Sequence, residues 1–145
     1  MIYLDASAFI KLYLREKGST EVHDLVVSQQ DPLPVWSLIE LEFINALRFK
    51  VFLADVAPEE VERLIDLYRD RRRAGQYYAP HLDPVALHEL AIQMTGRTAA
   101  IGSRALDILH VSAARLCAAA RFLTADRRQA ALAEAEGVDV ALIPS

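Results

Sequence analysis

The sequence holds a single cysteine, Cys117, in an alanine-rich stretch. That excludes a disulfide framework and a cysteine zinc site. No apolar run approaches the roughly 20 residues of a membrane span. No basic region precedes the first apolar residues, so the N-terminus does not read as a signal peptide. Together these absences make the cytoplasm the expected location and exclude a membrane as partner. Positive charge is also scarce: 16 Lys and Arg face 20 Asp and Glu, for a net charge of −4. A protein that coats nucleic acid through its overall charge is thereby excluded. An enzyme that gathers acids around metal ions and keeps its basic residues in a local patch is not. No repeat, low-complexity tract or linker divides the chain. What is present is globular in kind, 53% apolar and 25% charged over 145 residues. That is one domain, residues 1–145, long enough for a core.

The first seven residues organise the rest. Ile2, Tyr3 and Leu4 form a short apolar run suited to a buried strand. Asp5 stands where that strand should stop, and Ala6 to Leu14 has helical spacing. Further helices are expected over Thr20 to Ser28, Leu38 to Leu53, Pro58 to Ala74, Asp83 to Thr95, Arg104 to Ala120 and Arg127 to Glu136. Asp55 and Ser103 are candidate caps for two of them. The Leu38–Leu53 helix is apolar nearly all round and is expected to be mostly buried. Strands are expected at Pro34-Val35, Tyr77 to Leu82, Phe122 to Thr124 and Val138 to Ile143, with a loop or a broken turn at Gly96 to Gly102. Strands alternating with helices predict an α/β fold with a central parallel sheet flanked by helices.

Four acids stand out. Asp5 and Asp126 each follow a short strand and precede a helix, where α/β proteins collect ligands. Either could simply cap its helix. Glu40 and Glu42 point about 200° apart on one helix, so they cannot share a site. Glu42 lies with Ile39, Ala46 and Phe49, away from the side marked by Ser37 and Arg48. A buried glutamate needs a cation, either a metal or a nearby Arg or Lys. Asp107 lies near a helix N-terminus, an electrostatically favourable place for an acid. His110 shares its face and reads as a hydrogen-bonded core or rim residue. Arg69, Arg71, Arg72 and Arg73 form the densest basic patch, at a helix C-terminus. Arg127 and Arg128 beside Asp126 are candidate phosphate contacts.

The ordered blocks Leu4-Asp5-Ala6-Ser7, Glu42-Phe43-Ile44-Asn45-Ala46-Leu47, Arg104-Ala105-Leu106-Asp107-Ile108-Leu109-His110 and Leu123-Thr124-Ala125-Asp126 resemble those of the PIN-domain nucleases. Among these they are most similar to the VapC toxins of toxin–antitoxin pairs. The resemblance covers essentially the whole chain. It implies a PIN-like fold and a Mg²⁺- or Mn²⁺-dependent endoribonuclease with Asp5, Glu42, Asp107 and Asp126 as its acidic quartet. Ser7 and Thr124 match hydroxyl residues that would hold carboxylates in place. The implied partners are an RNA substrate, a small antitoxin of the VapB type and a second copy in a homodimer. Oxygen-only ligation suits either metal. The quartet also leaves room for another Asp-based phosphoryl-transfer enzyme, such as a haloacid-dehalogenase-like phosphatase. That family normally has a second Asp where this chain has Ser7. A non-enzymatic regulatory module is the third possibility. A receiver-like one would want a lysine late in the chain, and none follows Lys50.

Overall fold

A computed structural model describes residues Met1–Ser145. Its elements run β1 (Ile2–Leu4), α1 (Ala6–Phe9), a 3-10 turn (Ile10–Leu12), α2 (Ser19–Ser28), β2 (Leu33–Pro34), α3 (Ser37–Phe52), α4 (Pro58–Arg73) and β3 (Tyr77–Tyr78). There follow α5 (Pro84–Met94), a 3-10 turn (Thr95–Arg97), α6 (Thr98–Ile101), α7 (Ala105–Leu116), β4 (Arg121–Thr124), α8 (Arg127–Ala135) and β5 (Val140–Leu142). The fold is α/β. A small parallel sheet, ordered β1-β4-β5, is flanked by helices. No helix is long and apolar enough to cross a membrane.

The sheet's centre is β4. Phe122 and Leu123 are wholly buried. Tyr3 of β1 stacks on Phe122, with ring centroids 5.4 Å apart. Pairing of Leu4 with Leu123 aligns the carboxyl ends of β1 and β4. The residues that follow these strands, Asp5 and Ala125-Asp126, therefore emerge side by side. Phe9, Phe43, Tyr68 and Tyr77 pack a second aromatic cluster under α1 and α3.

Several expectations need correction. The five strands do not share one sheet: β2 and β3 pair separately, in parallel, with Leu33 opposite Tyr77. Each is only two residues long, and Pro34 brings no N–H to extend the ladder. The expected strand to Leu82 stops at Tyr78, the last residue with a partner in the ladder. The first helix is one α turn followed by a 3-10 turn. The expected loop or broken turn at Gly96–Gly102 contains the short α6. Ser103 does not cap α7: Arg104 occupies the cap position and Ser103 Oγ has no partner. Nor does Asp55 cap α4, whose N-cap is Ala57.

The largest correction concerns α3. Only Ile39, Phe43 and Leu47 are buried on it, whereas Leu41, Phe49 and Phe52 are exposed, Phe52 by 79%. Apolar content all round the helix thus does not mean burial all round it. One stripe fills the core and another faces outward.

One glycine is required by its surroundings. Gly18 has φ of +84°, and a Cβ there would sit 2.6 Å from Ile143 Cγ2 and 2.7 Å from the Pro144 carbonyl. It lets the start of α2 lie against the segment after β5.

Candidate functional site

Asp5, Glu42, Asp107 and Asp126 all line one open cleft of about 420 Å³, together with Ser7, Asn45, Phe49, Arg104, His110 and Gln129 among others. The acids come from four parts of the chain: the end of β1, the middle of α3, the first turn of α7 and the start of α8.

Asp5 is almost completely buried, with 2% exposure. Its Oδ1 accepts from the Ala8 backbone N–H at 2.9 Å, which caps α1. Its Oδ2 accepts from Thr124 Oγ1 at 2.7 Å. Ser7 Oγ donates to the same carboxylate, at 2.8 and 2.9 Å from its two oxygens. Both hydroxyls are themselves fixed by backbone donors. Ala125 N–H donates to Ser7 Oγ at 2.9 Å and Asp126 N–H to Thr124 Oγ1 at 3.0 Å. Burial nevertheless pushes the Asp5 carboxyl above the usual range, and these hydrogen bonds only partly oppose it.

Asp107 and Asp126 are held in the same manner. Asp107 Oδ2 accepts from the Arg104 backbone N–H at 2.9 Å, and its Oδ1 from Gln129 Nε2 at 3.3 Å. Asp126 Oδ1 caps α8 by accepting from the backbone N–H groups of Arg128 and Gln129. Capping and site membership are therefore not alternatives for these residues. Each cap pins one oxygen, and each helix start adds positive potential beside a cluster of negative charge.

Arg104 lies between two of the acids. Its Nε is 3.4 Å from Asp107 Oδ2 and a terminal nitrogen is 3.1 Å from Asp126 Oδ2. The side chain is 62% exposed, so packing does not lock it there.

Glu40 and Glu42 diverge as the helix geometry requires. Glu40 turns away from the cleft, accepts from the Tyr68 hydroxyl and pairs with Arg72. Glu42 turns into the cleft and is only half-buried, at 26% exposure. Its partner is neither Lys nor Arg. His110 Nε2 sits 2.5 Å from its Oε2. Phe49, expected on the buried side with Glu42, lies at the cleft rim and is exposed. Arg127 and Arg128 are exposed beside the cleft but do not line it. The arginines of α4 are engaged elsewhere: Arg69 with Asp66, Arg73 with Asp70, and Arg71 over the Tyr13 ring.

Arg104, His110 and Gln129 are cleft residues, bonded to the acids, that sequence reasoning did not assign to the site. Each stands three positions from an acid: Arg104 before Asp107, His110 after it and Gln129 after Asp126. On a helix that spacing shares a face, which was the available signal.

The donor set fits a hard divalent cation, since every candidate ligand is a carboxylate oxygen. The Arg104 guanidinium already shows that Asp107 and Asp126 together hold positive charge. In the present side-chain arrangement no three His, Cys, Asp or Glu groups converge on one ion position. No protein-family model matches the chain, and no curated protein matches it.

Proposed function

We propose that this chain is a metal-dependent endoribonuclease of PIN-like fold, with Mg²⁺ or Mn²⁺ as its cofactor. The observation that carries this reading is the meeting of four carboxylates, from four separated stretches, at the carboxyl ends of two adjacent parallel strands. A cluster of this kind is costly without a cation. Asp5 and Asp107 are the best-fixed candidates to hold one, with Glu42 and Asp126 completing the set. A bound divalent ion supplies charge stabilisation at a phosphoryl group and makes water a better nucleophile near neutral pH.

The protein's own groups do the rest. Ser7 and Thr124 fix the Asp5 carboxylate by donating to it, so that its orientation is set before any ligand arrives. Their three donated bonds, counted with Ala8, leave acceptor capacity on a group with about four lone-pair sites. Arg104 supplies a movable cation at the cleft mouth, suited to a phosphate oxygen once it leaves Asp126. Arg127 and Arg128, exposed in the first turn of α8 beside Asp126, are the basic side chains assigned here to RNA phosphates.

The outward stripe of α3, with Phe49 and Phe52 stacked 5.6 Å apart, supports a protein partner. In this reading it receives an apolar segment of a small antitoxin beside the cleft. Tyr68 is 1% exposed and Tyr13 is half-buried against Tyr77, so both finish the core.

The test is to incubate metal-stripped protein with RNA and with a phosphomonoester, with and without Mn²⁺. Metal-dependent RNA cleavage without phosphomonoester hydrolysis supports the reading. Hydrolysis of the monoester alone assigns the cleft to a phosphatase. Activity on neither substrate refutes the catalytic proposal.

A further inference from the structure

A chain of buried hydrogen bonds runs from the core into the cleft. Trp36 Nε1 donates to the Tyr3 hydroxyl at 2.7 Å. That hydroxyl is 3.0 Å from His110 Nδ1, and His110 Nε2 is 2.5 Å from Glu42 Oε2. Tyr3 is fully buried and His110 is 2% exposed, so neither has water as a ready substitute partner.

Donor counting fixes the direction. An indole N–H can only donate, so the Tyr3 oxygen accepts from Trp36. The single Tyr3 proton must then find an acceptor, and His110 Nδ1 is the one within reach. With Nδ1 accepting, the neutral ring carries its proton on Nε2 and donates to Glu42. The reverse arrangement, with Nδ1–H donating to Tyr3, leaves a buried tyrosine proton without a partner, which is costly.

The placement of these residues adds to the argument. Tyr3 stands two residues before Asp5, His110 three after Asp107, and Trp36 is the residue that opens the helix bearing Glu42. The bonds therefore tie together the three elements that carry three of the acids.

We propose that Trp36, Tyr3 and His110 form a one-directional positioning chain that holds the Glu42 carboxylate as an acceptor facing the cleft, and that Tyr3 is its decisive link. Tyr3 and Trp36 lie outside the lining of the cleft and act through His110. This inference deepens the nuclease reading and rests on it for its catalytic consequence, but not for its structural one.

The decisive substitution is Tyr3→Phe, which keeps the ring stacked on Phe122 and removes only the hydroxyl. Trp36→Phe is the second variant: it keeps the Tyr3–His110 bond and removes the donor that sets its direction. Nitrogen NMR of the imidazole rings reads the tautomer, and His110 is the one buried histidine of four. The wild-type ring is expected in the Nε2–H form, with Nδ1 bare and hydrogen-bonded. Both variants are expected to give a mixture of tautomers. A crystal structure of Tyr3→Phe is expected to show Glu42 released from His110. On RNA, Tyr3→Phe should lower kcat roughly 10- to 100-fold, the usual effect of losing a group that orients a ligand, with KM unchanged. An Nδ1–H ring in the wild type, or Glu42 unmoved in Tyr3→Phe, overturns the proposal. A wild type that cleaves no RNA yet shows the Nε2–H ring refutes the nuclease reading alone, and the position of Glu42 in the variant then decides the chain.

Discussion

Thr124→Val probes the cradle around Asp5 with the least change of shape. The side chain is completely buried, and valine replaces its hydroxyl with a methyl group of similar size. Two bonds disappear: Thr124 Oγ1 to Asp5 Oδ2 at 2.7 Å, and Asp126 N–H to Thr124 Oγ1 at 3.0 Å. Hydrogen bonds to charged groups contribute about 1.5–3 kcal/mol, and an unsatisfied buried N–H costs about 1–3 kcal/mol. Burying a methyl group instead of a hydroxyl returns no more than about 1 kcal/mol. Asp5 keeps its bonds from Ser7 and Ala8, which favours the lower ends of the ranges. The net loss should be about 1.5–3 kcal/mol, a large part of the 5–15 kcal/mol typical of a domain. Urea unfolding in the presence of a chelator should show a lower midpoint at unchanged slope. Thr124→Ser keeps the hydroxyl and should lose much less. A Thr124→Val loss below about 0.5 kcal/mol, small even for one hydrogen bond, or a serine variant as unstable as the valine, would refute the claim that this hydroxyl holds Asp5.

Three further outcomes follow from other parts of the structure. Gly18→Ala should cost at least the roughly 1–3 kcal/mol of a left-handed non-glycine residue, and more than Gly75→Ala, because only Gly18 has atoms in the way of a Cβ; thermal melts of the two variants check it. Burial, and then the hydrogen bond it donates to Glu40, hold the Tyr68 hydroxyl up to about 12. Its unfolded value is near 10, so the folded state binds the extra proton between the two, and stability that is intact below pH 10 should fall as pH rises toward 12. Tyrosinate absorbance against pH, compared with Tyr68→Phe, reads this directly. Finally, Glu42→Gln should reduce metal-dependent RNA cleavage strongly while Glu40→Gln leaves most of it, since Glu40 faces Tyr68 and Arg72 outside the cleft; the reverse order in the same assay would sink the assignment of the helix faces.

The parts of this architecture legible in the sequence are those encoded locally. The strands before Asp5 and Asp126 announce themselves as short apolar runs ending in an acid, and the helix angle alone separates Glu42 from Glu40. Long-range partners are not encoded locally. The Tyr3–His110 bond spans 107 residues and the His110–Glu42 bond 68, so His110 could be placed on the face of Asp107 but not joined to Glu42. The same limit explains the sheet. Pro34 and Tyr78 sit in strand-like runs, yet nothing near them in sequence says that they pair with each other and not with β1. The exposed stripe of α3 has a different cause. An apolar side chain reads alike whether it meets the core or looks outward, so Phe49 and Phe52 could not be separated from Phe43 by composition.

The central claim is that the carboxylates gathered at the ends of β1 and β4 bind a divalent cation and use it to cleave RNA. The most direct measurement is the cleavage rate of a labelled RNA by chelator-treated protein as Mn²⁺ is restored, run beside Asp5→Asn and Asp107→Asn. No cleavage is expected without metal, with cleavage that saturates with added Mn²⁺ in the wild type and a loss of most activity in both folded variants. Cleavage that persists in chelator, or that survives both substitutions, would contradict it.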